Sequence, residues 1–289
     1  MADAPGKTRL RPRRGMYVLP SLFTAGNIAA GFYAIVQSVL ATTSHDQTYF
    51  NRAALAILFA IPFDALDGRI ARMTNTASDF GRELDSLADV ITFGVAPSVL
   101  AYTWGTRLLP LIGNLKLRQS VLDGGVFVCF LFLICGACRL ARFNVTVNPL
   151  PSNPGRPGRR YFVGMPIPAA AGVVASVVHC FSGSPVDNVY IALVWLALLL
   201  FIGFLMVSRW RFWSGKEIGL RSQHTMRLFV LIVLLCTLLV YFSNYMLIAV
   251  ALAYMVSGMM ARIIYAAQGK QRRRAVSPRT VQAVPGGTE

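Results

Sequence analysis

Long apolar runs, separated by short polar or basic segments, recur along the whole chain. A helix crossing the hydrocarbon core of a bilayer needs about 20 mostly apolar residues. Eight segments reach that length, approximately 18–41, 52–72, 83–104, 122–142, 162–181, 188–208, 226–243 and 245–266. Inside lipid the backbone polar groups must be paired within the spanning structure, so each run predicts a helix. No alternating pattern suggests a barrel. The last two segments meet around Ser243–Asn244, a turn so tight that the pair must form a helical hairpin. The predicted fold class is therefore all-α, a polytopic membrane protein of about eight transmembrane helices.

Composition agrees. Hydrophobic residues make up 55% of the 289 positions and charged residues only 14%, with a mean hydropathy of +0.55, where a soluble domain carries about a quarter charged residues. Lys7, Arg9, Arg11, Arg13 and Arg14 precede the first apolar run, but no small-residue cleavage site follows it, so that run reads as a retained span. The domains expected are a basic tail over 1–16, one transmembrane domain over 17–267 and a basic C-terminal tail over 268–289. Residues 145–160, with four prolines among basic residues, read as a loop.

The formal net charge of +16 raises the question of nucleic acid. Its placement answers it: the basic residues sit in short segments between apolar runs, with no separate basic domain. With eight spans, all but four of the 28 Lys and Arg fall on the side of the N-terminus, the exceptions being Arg52, Arg107, Lys116 and Arg118. That asymmetry puts both termini on the cytosolic side of the cell's inner (cytoplasmic) membrane, and the basic flanks suit anionic membrane lipids. The five cysteines lie in or beside apolar runs and read as buried thiols; Cys135 and Cys138 lack a second pair to complete a zinc site.

Chemistry concentrates in one place. Six of the twelve acidic residues (Asp64, Asp67, Asp79, Glu83, Asp85 and Asp89) fall between positions 64 and 89. Ionisable groups in or beside a span are costly and mark function. At about 100° per residue, Asp64, Asp67, Gly68 and Ala71 share a face of the second helix, and Gly81, Asp85 and Asp89, spaced by four, share a face of the third. The short link from Met73 to Phe80 makes these helices antiparallel neighbours, so both faces meet near the cytosolic surface. Four converging carboxylates repel one another unless cations separate them. Hard oxygen ligands suit Mg²⁺ or Mn²⁺, and four of them can hold two ions. Small residues at 68, 71 and 81 let a nucleotide or a second backbone come close, and Arg72 offers charge to a phosphate. Asp79 and Glu83 read as interfacial charges. Carboxylates of this kind also line ion pathways, so a cation-coupled transporter is the rival from another class, with a lipid-binding scaffold the third reading.

The run Asp64-Ala-Leu-Asp67-Gly68-Arg-Ile-Ala71-Arg72, followed after eight residues by Gly81-x-x-x-Asp85-x-x-x-Asp89, resembles the signature of the CDP-alcohol phosphatidyltransferase family at every position and spacing. The resemblance implies that fold, and two divalent ions held by Asp64, Asp67 and Asp85 against the pyrophosphate of CDP-diacylglycerol. It makes Asp89 both a metal ligand and the catalytic general base. Gly68, Ala71, Arg72 and Gly81, with Asp67 and Asp85, would shape the CDP site, and a homodimer is implied. Residues 19–32, 138–145, 164–172 and 205–212 resemble the bacterial branch that uses L-serine as acceptor. The implied reaction is transfer of the phosphatidyl group to the serine hydroxyl, giving phosphatidylserine and CMP. Glycerol 3-phosphate or inositol phosphate are the other acceptors open within the family. The basic loop at 151–160 departs from that branch.

Asn27 on the first helix has two readings, a partner for CDP-diacylglycerol or a helix-packing amide. Arg139, Arg142 and Asn144, at the cytosolic end of the fourth helix, are candidates for the serine carboxylate by charge-assisted bonds, against the reading of ordinary basic flanks. Pro166 and Pro168 read as shaping a helix start. Trp104, Trp195, Trp210 and Trp213 read as interfacial or lipid-facing. His45, His179 and His224 carry no assignment.

Overall fold

The structure is a computed structural model that describes residues 18–44, 46–74, 79–110, 115–145, 161–213 and 242–275. Helix α1 (Val18–Ser44) is followed by α2 (Thr48–Thr74) and α3 (Asp79–Asp89). The third rod then continues without a break through a π-helical turn π1 (Val90–Val95), α4 (Ala96–Tyr102) and a second π turn π2 (Thr103–Arg107). After it come α5 (Leu115–Val145), strand β1 (Tyr161–Val163), α6 (Ile167–Cys180), α7 (Val189–Val207), strand β2 (Arg211–Trp213) and α8 (Ser243–Ala275). Pro97 has no N–H to give back to the preceding turn, one local reason why π1 does not close on the α pattern.

Among the described residues, six helices are long and apolar enough to cross a membrane, and lipid-facing side chains such as Phe127 and Val194 stand exposed along them. The chain is an integral membrane protein. Of the eight predicted spans, that over 226–243 lies, except for its last two residues, outside the described residues. The fifth departs from expectation. Residues 161–163 pair as a strand, Gly164 takes φ +80°, and α6 begins only at Ile167 behind Pro166, with Pro168 in its first turn. Its 14 residues span about 21 Å, well short of the about 30 Å of hydrocarbon. Residues 161–166 are apolar enough to look like helix, but a glycine of positive φ and a proline at the cap stop the helix there. The other difference is length: α5 starts at Leu115, where Gln119 donates to Asp123 at 3.0 Å, and α8 runs to Ala275. Polar turns beyond the apolar stretch continue the helices and escape a hydropathy reading.

α6 is the hub. Ala170, Ala171, Val173, Val174, Ala175 and Val178 are fully buried among α2, α4, α7 and α8. Being apolar on all sides, it suits a core position and not a lipid-facing one. Its small residues allow close packing, as where Gly172 faces Ile61 of α2. Trp104 and Trp195 also belong to this core, contrary to the interfacial reading. Trp195 Nε1 donates to the Ala101 carbonyl at 3.0 Å, and its ring meets Trp104 edge-on at 5.1 Å. An indole N–H inside the bundle is tolerable because α4 supplies that acceptor.

Two polar ends frame the bundle. At one, His179 of α6 bridges Asn51 of α2 (2.6 Å) and Ser243 of α8 (3.0 Å), and Ser184 donates to Gln47 at 2.6 Å. Asp46 accepts from the Thr48 amide and hydroxyl just before α2, which holds its carboxyl below the usual carboxylate range. The other end carries the acidic cluster.

Candidate active site

α2 descends and α3 returns, so the last turns of one and the first turns of the other lie at the same end of the bundle. Asp64, Asp85 and Asp89 converge there, each offering a carboxylate oxygen within 4.8 Å of the others. The Asp64 and Asp89 carboxyl groups are within hydrogen-bonding reach of each other. A hard divalent ion holds its oxygens at about 2.1 Å, so ligands opposed across it lie about 4.2 Å apart. The cluster has that scale. Asp89 Oδ1 is buried with no hydrogen-bond partner, an atom that a bound cation would satisfy. The acidic cluster is therefore compatible with a divalent metal. Asp67 lies one turn beyond Asp64 on α2, with Gly68, Ala71 and Arg72 after it; their side chains lie outside the described residues. Gly81 stands on α3 one turn before Asp85.

Two more elements reach this end. Asn27 on α1 is buried, its carbonyl accepts from Thr92 Oγ1 at 2.8 Å, and its own Oδ1 has no partner. Packing alone leaves that oxygen unsatisfied. From α5, Arg139 is buried with its guanidinium close enough to act on Asp89, 6.0 Å from the Phe143 ring, and its Nε lacks a partner. A buried guanidinium needs compensating charge, and Asp89 lies within electrostatic range of it. Arg142, one turn further, donates from Nη1 to Val207 O and from Nη2 to Val163 O, both at 3.1 Å. Asn144 Nδ2 donates to Ser86 Oγ at 2.8 Å, tying the end of α5 to α3 beside Asp85.

The structure thus brings Asp64, Asp85, Asp89 and Arg139 together and gives Arg142 and Asn144 partners within the chain. Sequence reading missed three groups. Thr92 and Ser86 matter only through tertiary hydrogen bonds, for which there is no local signal. Tyr254 of α8 lies close enough to the Arg139 guanidinium to interact with it, and its ring stacks on the buried Phe212 at 5.8 Å. A tyrosine in a hydrophobic run reads as lipid-facing until its neighbour is known.

Residues 17–203 match the CDP-alcohol phosphatidyltransferase family, a stretch that takes in all four aspartates together with Asn27 and Arg139. The chain belongs to the CDP-alcohol phosphatidyltransferase family. Among the relatives of this phosphatidyltransferase is the CDP-diacylglycerol–serine O-phosphatidyltransferase of Helicobacter pylori, 36% identical over 233 residues, which are 78% of this chain and 83% of that protein. The Bacillus subtilis protein of the same name is 35% identical over 209 residues, 70% of this chain and 93% of its own. The Saccharomyces cerevisiae protein of that name is 39% identical over 161 residues, and the match spans about half the length of that relative, 53%. Phe212 and Tyr254 lie beyond the family match.

Proposed function

We propose that this phosphatidyltransferase moves the phosphatidyl group of CDP-diacylglycerol onto the hydroxyl of L-serine, forming phosphatidylserine and CMP. The observation that carries the reading is the convergence of Asp64, Asp85 and Asp89 within 4.8 Å beside the buried Arg139. The serine-transferring relatives favour serine as the acceptor.

Asp64, Asp67, Asp85 and Asp89 are the residues that would hold the metal. When bound, a pair of Mg²⁺ or Mn²⁺ ions neutralises the pyrophosphate and the charge building on departing CMP. The chain's own groups do the rest. Asp89 accepts the proton as the serine oxygen forms its bond to the β-phosphorus. The bond from that phosphorus to the bridging oxygen breaks, and CMP leaves with that oxygen. Arg139 offers a charge-assisted donor to the serine carboxylate. Asn27, whose Oδ1 is unsatisfied within the chain, takes a donor from the nucleotide. Gly68, Ala71, Arg72 and Gly81 flank the CDP moiety. The acyl chains stay in lipid while nucleotide and serine arrive from water, so the reaction runs at a membrane surface; the excess of Lys and Arg on that side favours the cytosolic face of the inner membrane. The enzyme works as a homodimer, a state that cross-linking in native membranes tests directly.

The test is CMP release by purified protein given CDP-diacylglycerol, Mg²⁺ or Mn²⁺ and one acceptor at a time. Serine-dependent release that stops on chelation is the expected result. Release only with glycerol 3-phosphate or inositol phosphate would reassign the acceptor; no release with any of them would sink the reading.

A further inference from the structure

We propose that Arg142 is a positioning residue: by fastening the end of α7 and strand β1 to α5, it sets where Arg139 stands beside Asp89. The proposal rests on the serine-transfer reading and gives Arg142 a different task from binding the acceptor.

The junction is built from backbone groups of three distant segments. Arg142 lies one helical turn from Arg139, so the two guanidinium groups leave the same face of α5. Its Nη1 donates to the carbonyl of Val207, the last residue of α7, and its Nη2 to that of Val163, the last residue of β1, each at 3.1 Å. The next residues lock the same place. Gly164 N donates to Trp210 O at 2.8 Å, and Met165 N to Leu205 O at 3.0 Å. Gly164 has φ +80°, and a Cβ there would strike the Met206 carbonyl and come within 3.1 Å of Arg142 Nη2. Any Cβ there is strained by the positive φ and must displace the Met206 carbonyl at the end of α7, beside the guanidinium.

From this knot the geometry passes to Arg139 by a second route. β1 pairs antiparallel with β2, Phe162 opposite Phe212. Phe212 is fully buried, and its ring lies against Gly258 of α8 and stacks on Tyr254. Tyr254 in turn lies within electrostatic range of the Arg139 guanidinium. Displacing the ribbon therefore disturbs both the Arg142 anchor on α5 and the Phe212 ring on which Tyr254 stacks. Two arginines on one turn divide the labour: Arg142 grips the chain, while Arg139, with its Nε unpartnered, faces the chemistry.

Steady-state kinetics on the purified full-length enzyme test this. Wild-type protein comes first: absence of serine-dependent CMP release would remove the functional reading itself. Given that release, Arg142→Ala, Gly164→Ala and the double variant are compared for the KM of serine and of CDP-diacylglycerol. Loosening one junction should raise the serine KM about tenfold in each single variant, with the KM of the lipid substrate within about twofold. The double variant should fall well short of the product of the two single effects, since both changes loosen the same junction of α5, α7 and β1. Arg142→Lys, which keeps a donor, should recover part of the loss. Should Arg142→Ala fail to fold, Arg142→Lys and its combination with Gly164→Ala complete the cycle. Multiplicative effects in the double variant, or a raised serine KM in the Arg142 variants with none in Gly164→Ala, would make Arg142 a direct ligand of serine and overturn the proposal. Unchanged serine KM in both single variants would overturn it equally.

Discussion

Thr92, three residues past Asp89, donates its hydroxyl proton to the backbone carbonyl of Asn27 at 2.8 Å. That bond pins π1 to α1 directly behind the acidic cluster, and Gly31, one turn along α1, lets the helices meet: a Cβ there would lie 2.6 Å from Thr92 Oγ1. Gly31→Val should therefore force the pair apart. An overpacked crossing costs about 1–3 kcal/mol, and Thr92→Val, losing only the bond, about 1 kcal/mol. Thermal inactivation in detergent should rank them in that order below wild type. The reverse ranking would mean that the bond, and not the close approach, holds the crossing.

Asp89→Asn keeps the size and much of the hydrogen-bonding of the side chain but removes its capacity as a base. Its turnover should fall about 10²–10⁴-fold, while binding of CDP-diacylglycerol, measured by a nucleotide competition assay, weakens much less. Equal loss of both would assign Asp89 to metal binding alone.

Asp64→Asn acts on the other function of the cluster. Its activity should fall on the order of 100-fold or more, as several kcal/mol of charge stabilisation goes. The Mn²⁺ concentration for half-maximal rate should rise as well. Full activity with unaltered metal dependence would remove Asp64 from the metal site.

Arg139→Ala removes the positive charge in range of Asp89 and takes away the proposed donor to the acceptor. Charge-assisted bonds of this kind contribute about 1.5–3 kcal/mol, so the serine KM should rise about 10–100-fold. Arg139→Lys should fall between the two. An unchanged serine KM would leave Arg139 with a purely electrostatic role.

Trp195 offers a control remote from chemistry. Trp195→Ala empties a core position at a cost of about 3–5 kcal/mol, whereas Trp195→Phe keeps an aromatic ring and forgoes the bond to Ala101 O with part of the indole's volume. Stability should drop steeply for the first and slightly for the second, with the serine KM of Trp195→Phe unmoved. A shifted KM would tie the core to the acceptor site.

The site was legible because its information is local. Asp64 with Asp67, and Gly81 with Asp85 and Asp89, are spaced by helical turns, and a short link closes the two helices on each other. Helix identity followed equally well from apolar length. What stayed hidden depends on contacts between distant segments. Arg142 looks like any basic flank until Val163 and Val207 are placed beside it. Trp104 and Trp195 look like interfacial indoles until each is found against the other. The start of α6 was misread because hydropathy does not register backbone conformation: Gly164 and Pro166 end the helix while the residues around them stay apolar.

The abbreviated α6 has a consequence for how the two reactants meet. At about 21 Å for its 14 residues, it leaves roughly the last third of the hydrocarbon depth, on the acidic side, to folded polypeptide whose amides and carbonyls are already engaged. Polar backbone is tolerated at that depth only where protein shields it. Under the proposed reaction, a water-borne acceptor would meet folded polypeptide and not hydrocarbon on its way to the carboxylates, and the fatty tails of its partner would never have to leave oil.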